Sequence, residues 1–241
     1  MAQLAAPQLR IVSSAAFGAA AAAEVAACLR AKPDAVLGLP TGNTPVPVYE
    51  ALLAHRDVDW SQARVAQLDE YLGAGDRPIG FYRWLRSHFL DAAGIPAQRL
   101  LRMPSDPDGI AAACAAYDRQ LADWGGCDLQ LLGLGLTGHI GFNEPGSGGD
   151  SVTRVVALSA TTRDANEEYW HGEEVPSSGV TTGIAVILRA RRIILLVSGE
   201  RKAATLRRAL EGPIGPDCPA SFLRRHPDVL ILSDEAAASA L

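Results

Sequence analysis

Residues 129–147 read LQLLGLGLTGHIGFNEPGS and place an imidazole, an amide and a carboxylate among several glycines. His139 and Glu144 are five residues apart, and Asn143 lies between them. A carboxylate can fix the tautomer of an imidazole, and an imidazole so held moves protons near neutral pH. The stretch opens on a continuous apolar run, residues 129–134, which is typical of a strand buried on both faces. Open α/β sheets carry their chemistry on loops that leave such strands.

Metal binding is the weaker interpretation of His139, because no second histidine or cysteine lies close to it in sequence. The cysteines are scattered without a CxxC pair, at Cys28, Cys114, Cys127 and Cys218. This spacing predicts neither a zinc site nor a disulfide framework, and it fits a reducing compartment. We therefore expect a cytoplasmic protein with no metal site.

An acidic pair, Asp69 and Glu70, directly follows a second apolar run at residues 65–68. Consecutive side chains of an extended chain point in opposite directions, so at most one carboxylate faces a crevice. Asp69 is the better candidate for a general base, and Glu70 either orients a neighbour or is solvated. Taken alone, such a pair is more often a cap or a surface feature.

A turn reading GLPTGNTP, residues 38–45, separates a short apolar run from a helical pattern. Backbone N–H groups and hydroxyls at a helix N-terminus form a natural phosphate site, here from Thr41, Gly42, Asn43 and Thr44. An ordinary strand–helix turn is the alternative, since neither a Walker nor a dinucleotide fingerprint is present.

Two basic residues occupy positions from which they would meet an anion held by that turn. Arg163 lies at a predicted helix start, and Lys202 follows the apolar run 193–197. Both sit at strand ends or helix starts, so they are candidates to converge on the bound anion. For Arg201, Arg207 and Arg208 we expect solvated charges.

Strand and helix patterns alternate along the chain and supply the elements that position these residues. Strands are predicted at residues 35–39, 65–68, 129–134, 152–158, 193–197 and 229–232. Helices are predicted from Ser13 or Ser14 to about 30, then at 46–54, 79–90, 107–124, 162–170 and 199–210, with a small-residue helix after the last strand. Repeated strand–helix units with buried strands predict an α/β protein, one three-layer domain over residues 1–241 with a mainly parallel sheet.

Composition narrows the possible partners. Hydrophobic residues make up 48% of the 241 residues, enough for a large core, and the net charge is −5. An acidic chain lacks the electrostatic footprint of a nucleic-acid-binding protein. Residues 15–27 are apolar, but they contain Glu24, lack a basic leader and are too short to span a bilayer. We expect a helix there, and neither nucleic acid nor membrane as a partner.

The segments GLPTGNTP, LDEYLG, LGLGLTGHIGFNEPGS, TTRDAN, TTGI, LLVSGERKA and PASFL together resemble the glucosamine-6-phosphate deaminase family. They occur in that family's order and span roughly residues 33–234. GHIGFNEPG is the most specific segment, because the sister lactonases of the superfamily carry a different sequence after GH. The resemblance implies a Rossmann-like fold, a phosphorylated amino sugar as substrate and no cofactor.

Site residues follow from the resemblance position by position. Asp69 matches the base that moves a proton from C2 to C1, His139 the group that opens the sugar ring, and Glu144 its supporting carboxylate. The phosphate loop matches Thr41, Gly42, Asn43 and Thr44, with Arg163 and Lys202 as charged clamps.

Three features depart from the family pattern. Thr137 stands where an Asp or Asn is usual, and a hydroxyl forms hydrogen bonds but carries no charge. Asn43 replaces a frequent second glycine. The chain ends soon after the last predicted strand, as in the short members without allosteric regulation. We expect a monomer or a small homo-oligomer.

The sequence leaves several activities open. Deamination of glucosamine 6-phosphate to fructose 6-phosphate and ammonia ranks first, and the same chemistry on galactosamine 6-phosphate ranks second. A 6-phosphogluconolactonase is disfavoured by NEPG after GHIGF. A sugar-phosphate sensor without catalysis is supported only by Thr137.

Overall fold

The computed structural model describes residues 6–241 of the chain. Its strands are β1 Gln8–Val12, β2 Val36–Leu39, β3 Arg64–Gln67, β4 Asp69–Tyr71, β5 Leu100–Leu101, β6 Leu129–Gly133, β7 Arg154–Ala157, β8 Ser178–Thr181, β9 Arg192–Val197 and β10 Val229–Asp234. Its α-helices are α1 Ser14–Ala31, α2 Val46–Ala54, α3 Phe81–Leu85, α4 Ile110–Asp123, α5 Ala160–Asn166, α6 Ile184–Ile187 and α7 Ala203–Glu211. A π-helical turn, Arg86–Leu90, extends α3, and 3₁₀ turns occur at Ala97–Arg99, Glu167–Trp170, Glu200–Lys202 and Pro219–Arg225.

Seven strands form a parallel sheet in the order β1-β10-β9-β6-β2-β3-β5. Strand β2 leads outward to β3 and β5, whereas β6, β9 and β10 follow one another on the other side. The strand order therefore reverses between β2 and β6. In doubly wound sheets the crevice at the carboxyl ends of two such strands is where ligands bind.

Both faces of this sheet are buried, as its continuous apolar strands predict. In β6, Leu131 packs into a cluster with α1 and α2, and the next residue, Leu132, packs into a second cluster with α4 and α7. Alternate residues of β9 and β10 divide in the same way. The predicted three-layer α/β architecture is confirmed.

A second sheet of three antiparallel strands, in the order β4-β8-β7, was not expected from the sequence. The chain leaves the large sheet at the end of β3 and enters the small sheet at Asp69, with only Leu68 between them. Asp69 pairs with Thr181 of β8. A separate aromatic cluster that contains Tyr71, Phe81 and Trp170 packs against this sheet.

Several local predictions were wrong. Strands β1, β4, β5 and β8 were missed. The last three have only two to four residues, and β1 is an edge strand in which Leu9 and Ile11 are exposed, so it lacks an apolar run. The small-residue segment after β10 forms turns instead of a helix.

Helix α1 is longer than the apolar stretch that predicted it. Its 18 residues reach a mean hydropathy of 1.2, so the helix is long and apolar enough to cross a bilayer, contrary to the expectation from residues 15–27. In the structure one face of α1, which includes Phe17, Val25 and Leu29, is buried in the core. We therefore describe α1 as a core helix.

Close packing of α1 against α2 sets where the α2 N-terminus lies. Gly18 has no room for a side chain, because a Cβ there would lie 2.4 Å from the carbonyl oxygen of Pro47. Pro47 is in the first turn of α2, which directly follows the TGNTP turn.

Replacement Gly18→Ala is expected to lower the free energy of unfolding by about 1–3 kcal/mol, because a backbone contact cannot yield as a flexible side chain would. Helix propensity alone predicts the opposite, a gain of about 1 kcal/mol. Urea unfolding decides between them, with exposed Ala19→Gly on the same helix as the measure of propensity. Increased stability of Gly18→Ala would contradict the packing argument.

Candidate active site

A cavity of about 540 Å³ opens at the carboxyl ends of β2 and β6, where the strand order reverses. Its walls are the loops that follow β2, β6 and β9, together with Asp69, Phe81 and one face of α5. Of the residues proposed from the sequence, the cavity is lined by Thr41, Gly42, Asn43, Thr44, Asp69, His139 and Lys202. Segments far apart in sequence thus meet at one crevice.

Asp69 is the carboxylate that faces this cavity. The residue is 6% exposed, and the part of the chain that the structure describes offers no hydrogen bond to its carboxylate. Burial, and then the neighbouring charge of Glu70, raises the pKa of Asp69 to about 8. A buried carboxyl without hydrogen-bond donors is well matched to accept and return a proton near neutral pH.

Glu70 points away from the cavity, as expected for adjacent residues of an extended strand. It is fully buried, so the solvated alternative is wrong. Its carboxylate accepts hydrogen bonds from Gln67 Nε2 and from the backbone N–H groups of Tyr71, Phe81 and Tyr82. Burial raises the pKa of Glu70, against the effect of these hydrogen bonds. Glu70 therefore caps the first turn of α3 and holds Phe81 at the cavity wall.

The glycines around His139 allow its ring to reach the cavity. A Cβ at Gly135 would lie 2.0 Å from His139 Nε2, so only glycine leaves space for the imidazole. The turn is closed by hydrogen bonds from Gly135 N to the His139 carbonyl, 2.9 Å, and from Gly138 N to the Gly135 carbonyl, 3.0 Å. Gly138 has a φ of 90°, which favours glycine.

Glu144 lies behind His139, on the side away from the cavity. Its Oε2 is 3.5 Å from His139 Nδ1 and accepts a hydrogen bond from Thr137 Oγ1 at 3.0 Å. Its Oε1 accepts from Ser159 Oγ at 3.1 Å. Burial acts to raise the pKa of Glu144, but the polar groups of His139, Thr162 and Thr137 beside it and the charge of His139 lower it to about 2. Glu144 is therefore ionised throughout the physiological range.

Asn143, in the same loop, has a structural role. Its amide nitrogen donates to the carbonyls of Ile140 and Thr182 at 2.9 and 2.8 Å, and its oxygen accepts from Arg154 at 2.9 Å. These bonds fasten the loop that carries His139 and Glu144 to the end of β8 and to β7.

The turn at residues 41–44 and the loop after β9 form the basic end of the cavity. Gly42 has a φ of 99°, and the backbone N–H groups of Gly42 and Thr44 donate no hydrogen bond within residues 6–241. Lys202 Nζ donates to the Leu134 carbonyl at 2.6 Å. Burial, and then the charge of Arg201, lowers the pKa of Lys202 to about 8. Free amides at the start of α2 and a half-buried ammonium are groups of the kind that bind anions.

The other basic residues take different positions around the cavity. Arg163 is absent from the cavity wall, where α5 contributes Thr161, Thr162, Ala165 and Asn166, and its Nε is buried without a hydrogen-bond partner in the described residues. Its role as a phosphate clamp stays a prediction. Arg201, expected to be solvated, does line the cavity beside Lys202. Arg208, also expected to be free, donates to the Thr137 carbonyl. Consecutive residues in a short 3₁₀ turn give no periodicity from which the inward one could be read.

Among residues 6–241 no group of three or more His, Cys, Asp or Glu is arranged to hold a metal ion. The thiols of Cys28, Cys114, Cys127 and Cys218 are all free.

Relatives named glucosamine-6-phosphate deaminase match nearly the whole chain. A glucosamine-6-phosphate deaminase of Streptomyces coelicolor is 47% identical over 223 residues, which cover 90% of this chain and 85% of that protein. The glucosamine-6-phosphate deaminase of Rhodopirellula baltica is 44% identical over 218 residues, 88% of this chain and 87% of its own.

Solved structures agree with the fold. A monomeric glucosamine-6-phosphate deaminase superposes with a TM-score of 0.93 at 37% identity, covering 97% of this chain and all of its own. The 6-phosphogluconolactonase of Trypanosoma brucei superposes with a TM-score of 0.80 at 22% identity, which shows the shared fold alone. The family model described as glucosamine-6-phosphate isomerases/6-phosphogluconolactonase matches residues 12–231. The chain therefore belongs to the glucosamine-6-phosphate isomerase/6-phosphogluconolactonase family.

Proposed function

We propose that this chain is an enzyme that converts glucosamine 6-phosphate and water into fructose 6-phosphate and ammonia. The observation that carries the proposal is the buried carboxylate of Asp69, which shares one cavity with His139 and with a basic end suited to phosphate. Relatives that are 40–47% identical to this chain carry the name of that activity. Lactonase structures are similar at only 19–23% identity, which supports a common fold and no more.

Ring opening is the first step, and His139 is placed to perform it. Its ring lies at the cavity wall, backed by Glu144. The imidazole takes the proton of the anomeric hydroxyl as the C1–O5 bond breaks, and the proton passes to O5. The product is the open-chain aldehyde. Proton transfer by a positioned imidazole is efficient near neutral pH.

Isomerisation follows at Asp69. The aldehyde acidifies the C2–H bond, so one carboxylate can take that proton and return it to C1. One proton of the amino group passes to O1 in the same isomerisation, which leaves a hydroxyl on C1 and an imine at C2. Water adds to the imine and ammonia leaves, which gives the ketone of fructose 6-phosphate. A single carboxylate suffices because the bound sugar keeps both C1 and C2 next to it, and the proposed reaction uses no cofactor.

The phosphate occupies the basic end in this proposal. Backbone amides of the turn at residues 41–44 and the hydroxyls of Thr41 and Thr44 donate to it, and Lys202 and Arg201 supply positive charge. Arg201 is added to the charged groups predicted from the sequence because it lines the cavity beside Lys202.

The oligomeric state and the cellular compartment are each proposed from a single observation. A structural relative is described as monomeric, and we infer that this chain is also active as a monomer. Its four free cysteines fit the reducing cytoplasm. Size-exclusion chromatography with light scattering tests the first inference against a mass of 25.4 kDa.

Incubation of the purified protein with glucosamine 6-phosphate, and separately with galactosamine 6-phosphate, tests the activity. Ammonia and fructose 6-phosphate from the first substrate are expected. Product from galactosamine 6-phosphate alone would move the assignment to that epimer, and binding without product from either would make the chain a sensor.

Replacement Asp69→Asn is expected to lower kcat by about 10³-fold while leaving affinity for the phosphosugar nearly unchanged, since general-base catalysis contributes on the order of 10²–10⁴. Because a buried carboxylate is costly, the variant is expected to unfold at the same temperature as the wild type or a higher one. Turnover comparable to wild type would show that Asp69 is not the base.

The pH dependence of kcat/KM follows from two groups that line the cavity. Asp69 acts as a base only when ionised, so activity is expected to rise as pH increases through its raised pKa near 8. Lys202 loses its charge as pH rises through its lowered pKa near 8, so phosphate affinity is expected to fall there. The result is a maximum near pH 8. In Asp69→Asn the rising limb should disappear, and its survival would contradict the assignment.

Replacement Arg201→Gln is expected to raise KM by about tenfold with little change in kcat, because one charge-assisted phosphate contact is worth about 1.5–3 kcal/mol. Competitive inhibition by inorganic phosphate should weaken by the same factor. Arg207→Gln is the matched control, since Arg207 is exposed and pairs with Glu211 on α7. An unchanged inhibition constant in Arg201→Gln would place Arg201 outside the phosphate site.

A further inference from the structure

The hydroxyl of Thr137 lies between His139 and Glu144. Thr137 Oγ1 is 2.8 Å from His139 Nδ1 and 3.0 Å from Glu144 Oε2. The direct separation of His139 Nδ1 and Glu144 Oε2 is 3.5 Å. Good hydrogen bonds of this kind fall below about 3.2 Å, so the hydroxyl supplies the better path between the two groups.

The direction of both hydrogen bonds follows from the charge of Glu144. An ionised carboxylate only accepts, so the Thr137 hydroxyl donates its single proton to Glu144 Oε2. The Thr137 oxygen then accepts from His139, which requires the proton of the neutral imidazole to be on Nδ1. The Nε2 atom is left with its lone pair.

His139 is one of the residues that line the cavity. Its ring packs against Gly135, where a Cβ would lie 2.0–2.2 Å from Nε2, Cδ2 and Cε1. Since the same nitrogen is the one that faces away from Thr137 and Glu144, it is the atom able to receive a proton from a bound sugar.

We propose that Thr137 is a positioning residue whose hydroxyl, bridged to Glu144, keeps the proton of His139 on Nδ1 and so makes Nε2 the base for ring opening. The catalytic part of this inference rests on the proposed function. The tautomer itself is a property of the protein without substrate. Thr137 does by hydrogen bonding what an acidic residue at that position would do by charge.

No other polar group of the described residues lies closer to His139 Nδ1 than the Thr137 hydroxyl does. From α5, Thr162 Oγ1 is 3.4 Å from Nδ1, too long to compete, and Ser159 Oγ is directed to Glu144. From α7, Arg208 donates to the Thr137 carbonyl and holds the turn in place. Asp69 and Lys202 line the same cavity and are the charged groups that share it with Nε2.

Replacement Thr137→Val removes the hydroxyl and keeps the shape, whereas Thr137→Ser keeps the hydroxyl. Nitrogen-15 NMR of the substrate-free protein reports the tautomer of His139, at a pH about two units above the unperturbed imidazole pKa of about 6.5. The His139 signal, one of five histidines, is identified by its loss in His139→Asn. We expect the Nδ1–H tautomer in wild type and Thr137→Ser, and a mixture in Thr137→Val.

Activity gives the second readout. Thr137→Val is expected to lower kcat with glucosamine 6-phosphate by about 10- to 100-fold, the range seen when a hydrogen-bond partner that orients a histidine is removed. Thr137→Ser should restore most of it. Thr205→Val is the structural control, because Thr205 Oγ1 holds the adjacent Leu136 carbonyl at 2.9 Å. It should lower stability and leave the His139 tautomer unchanged.

An unaltered tautomer in Thr137→Val would overturn the inference, whatever happens to activity. An unaltered kcat in Thr137→Val, in a wild type that turns the substrate over, would also overturn it. A wild type without turnover but with the Nδ1–H tautomer lost in Thr137→Val would sink the proposed function and leave the bridge standing.

Discussion

The burial of one carboxylate at the seam between two sheets is the constraint on which the site depends. Ionising a carboxyl in an apolar environment is costly, so burial raises the pKa of Asp69 to about 8, and its carboxylate has no hydrogen bond within the described residues to offset that cost. The fold bears this cost because β4 pairs with β8 and because Glu70, on the opposite face, is tied to the first turn of α3. Leu68 is the single residue between the two sheets, so the position of Asp69 is fixed from both sides.

Two glycines allow other parts of the chain to pack closely enough to complete the site around Asp69. Gly135 leaves room for the His139 ring, and Gly18 lets α1 and α2 approach, which sets the position of the turn at residues 41–44. His139 therefore lies on a loop that leaves the buried strand β6, and Asp69 lies on strand β4. Such loops position side chains without the entropy cost of ordering them at each turnover.

Sequence patterns predict which residues follow buried strands and therefore meet at one edge of the sheet. They do not predict which residues of a short helix or turn face the cavity. Asp69, His139 and Lys202 follow buried parallel strands, whose carboxyl ends must meet at one edge, so their convergence was predictable. Arg163 lies on a helix of seven residues, too short for its inward face to be read from periodicity. The β4–β8 pairing was missed because strands of three and four residues give no alternation to recognise. The Thr137 bridge depends on the turn between Gly135 and His139, which no pattern encodes.

In the proposed mechanism Asp69 carries one proton from C2 to C1 within the cavity. The direct test is a single turnover of glucosamine 6-phosphate deuterated at C2, in ordinary water, with the fructose 6-phosphate examined by NMR. Because Asp69 is only 6% exposed, return of the label should compete with exchange into solvent, and a measurable fraction of the product should carry deuterium at C1. Product with no deuterium at C1, and all the label in water from the first turnover, would contradict this account.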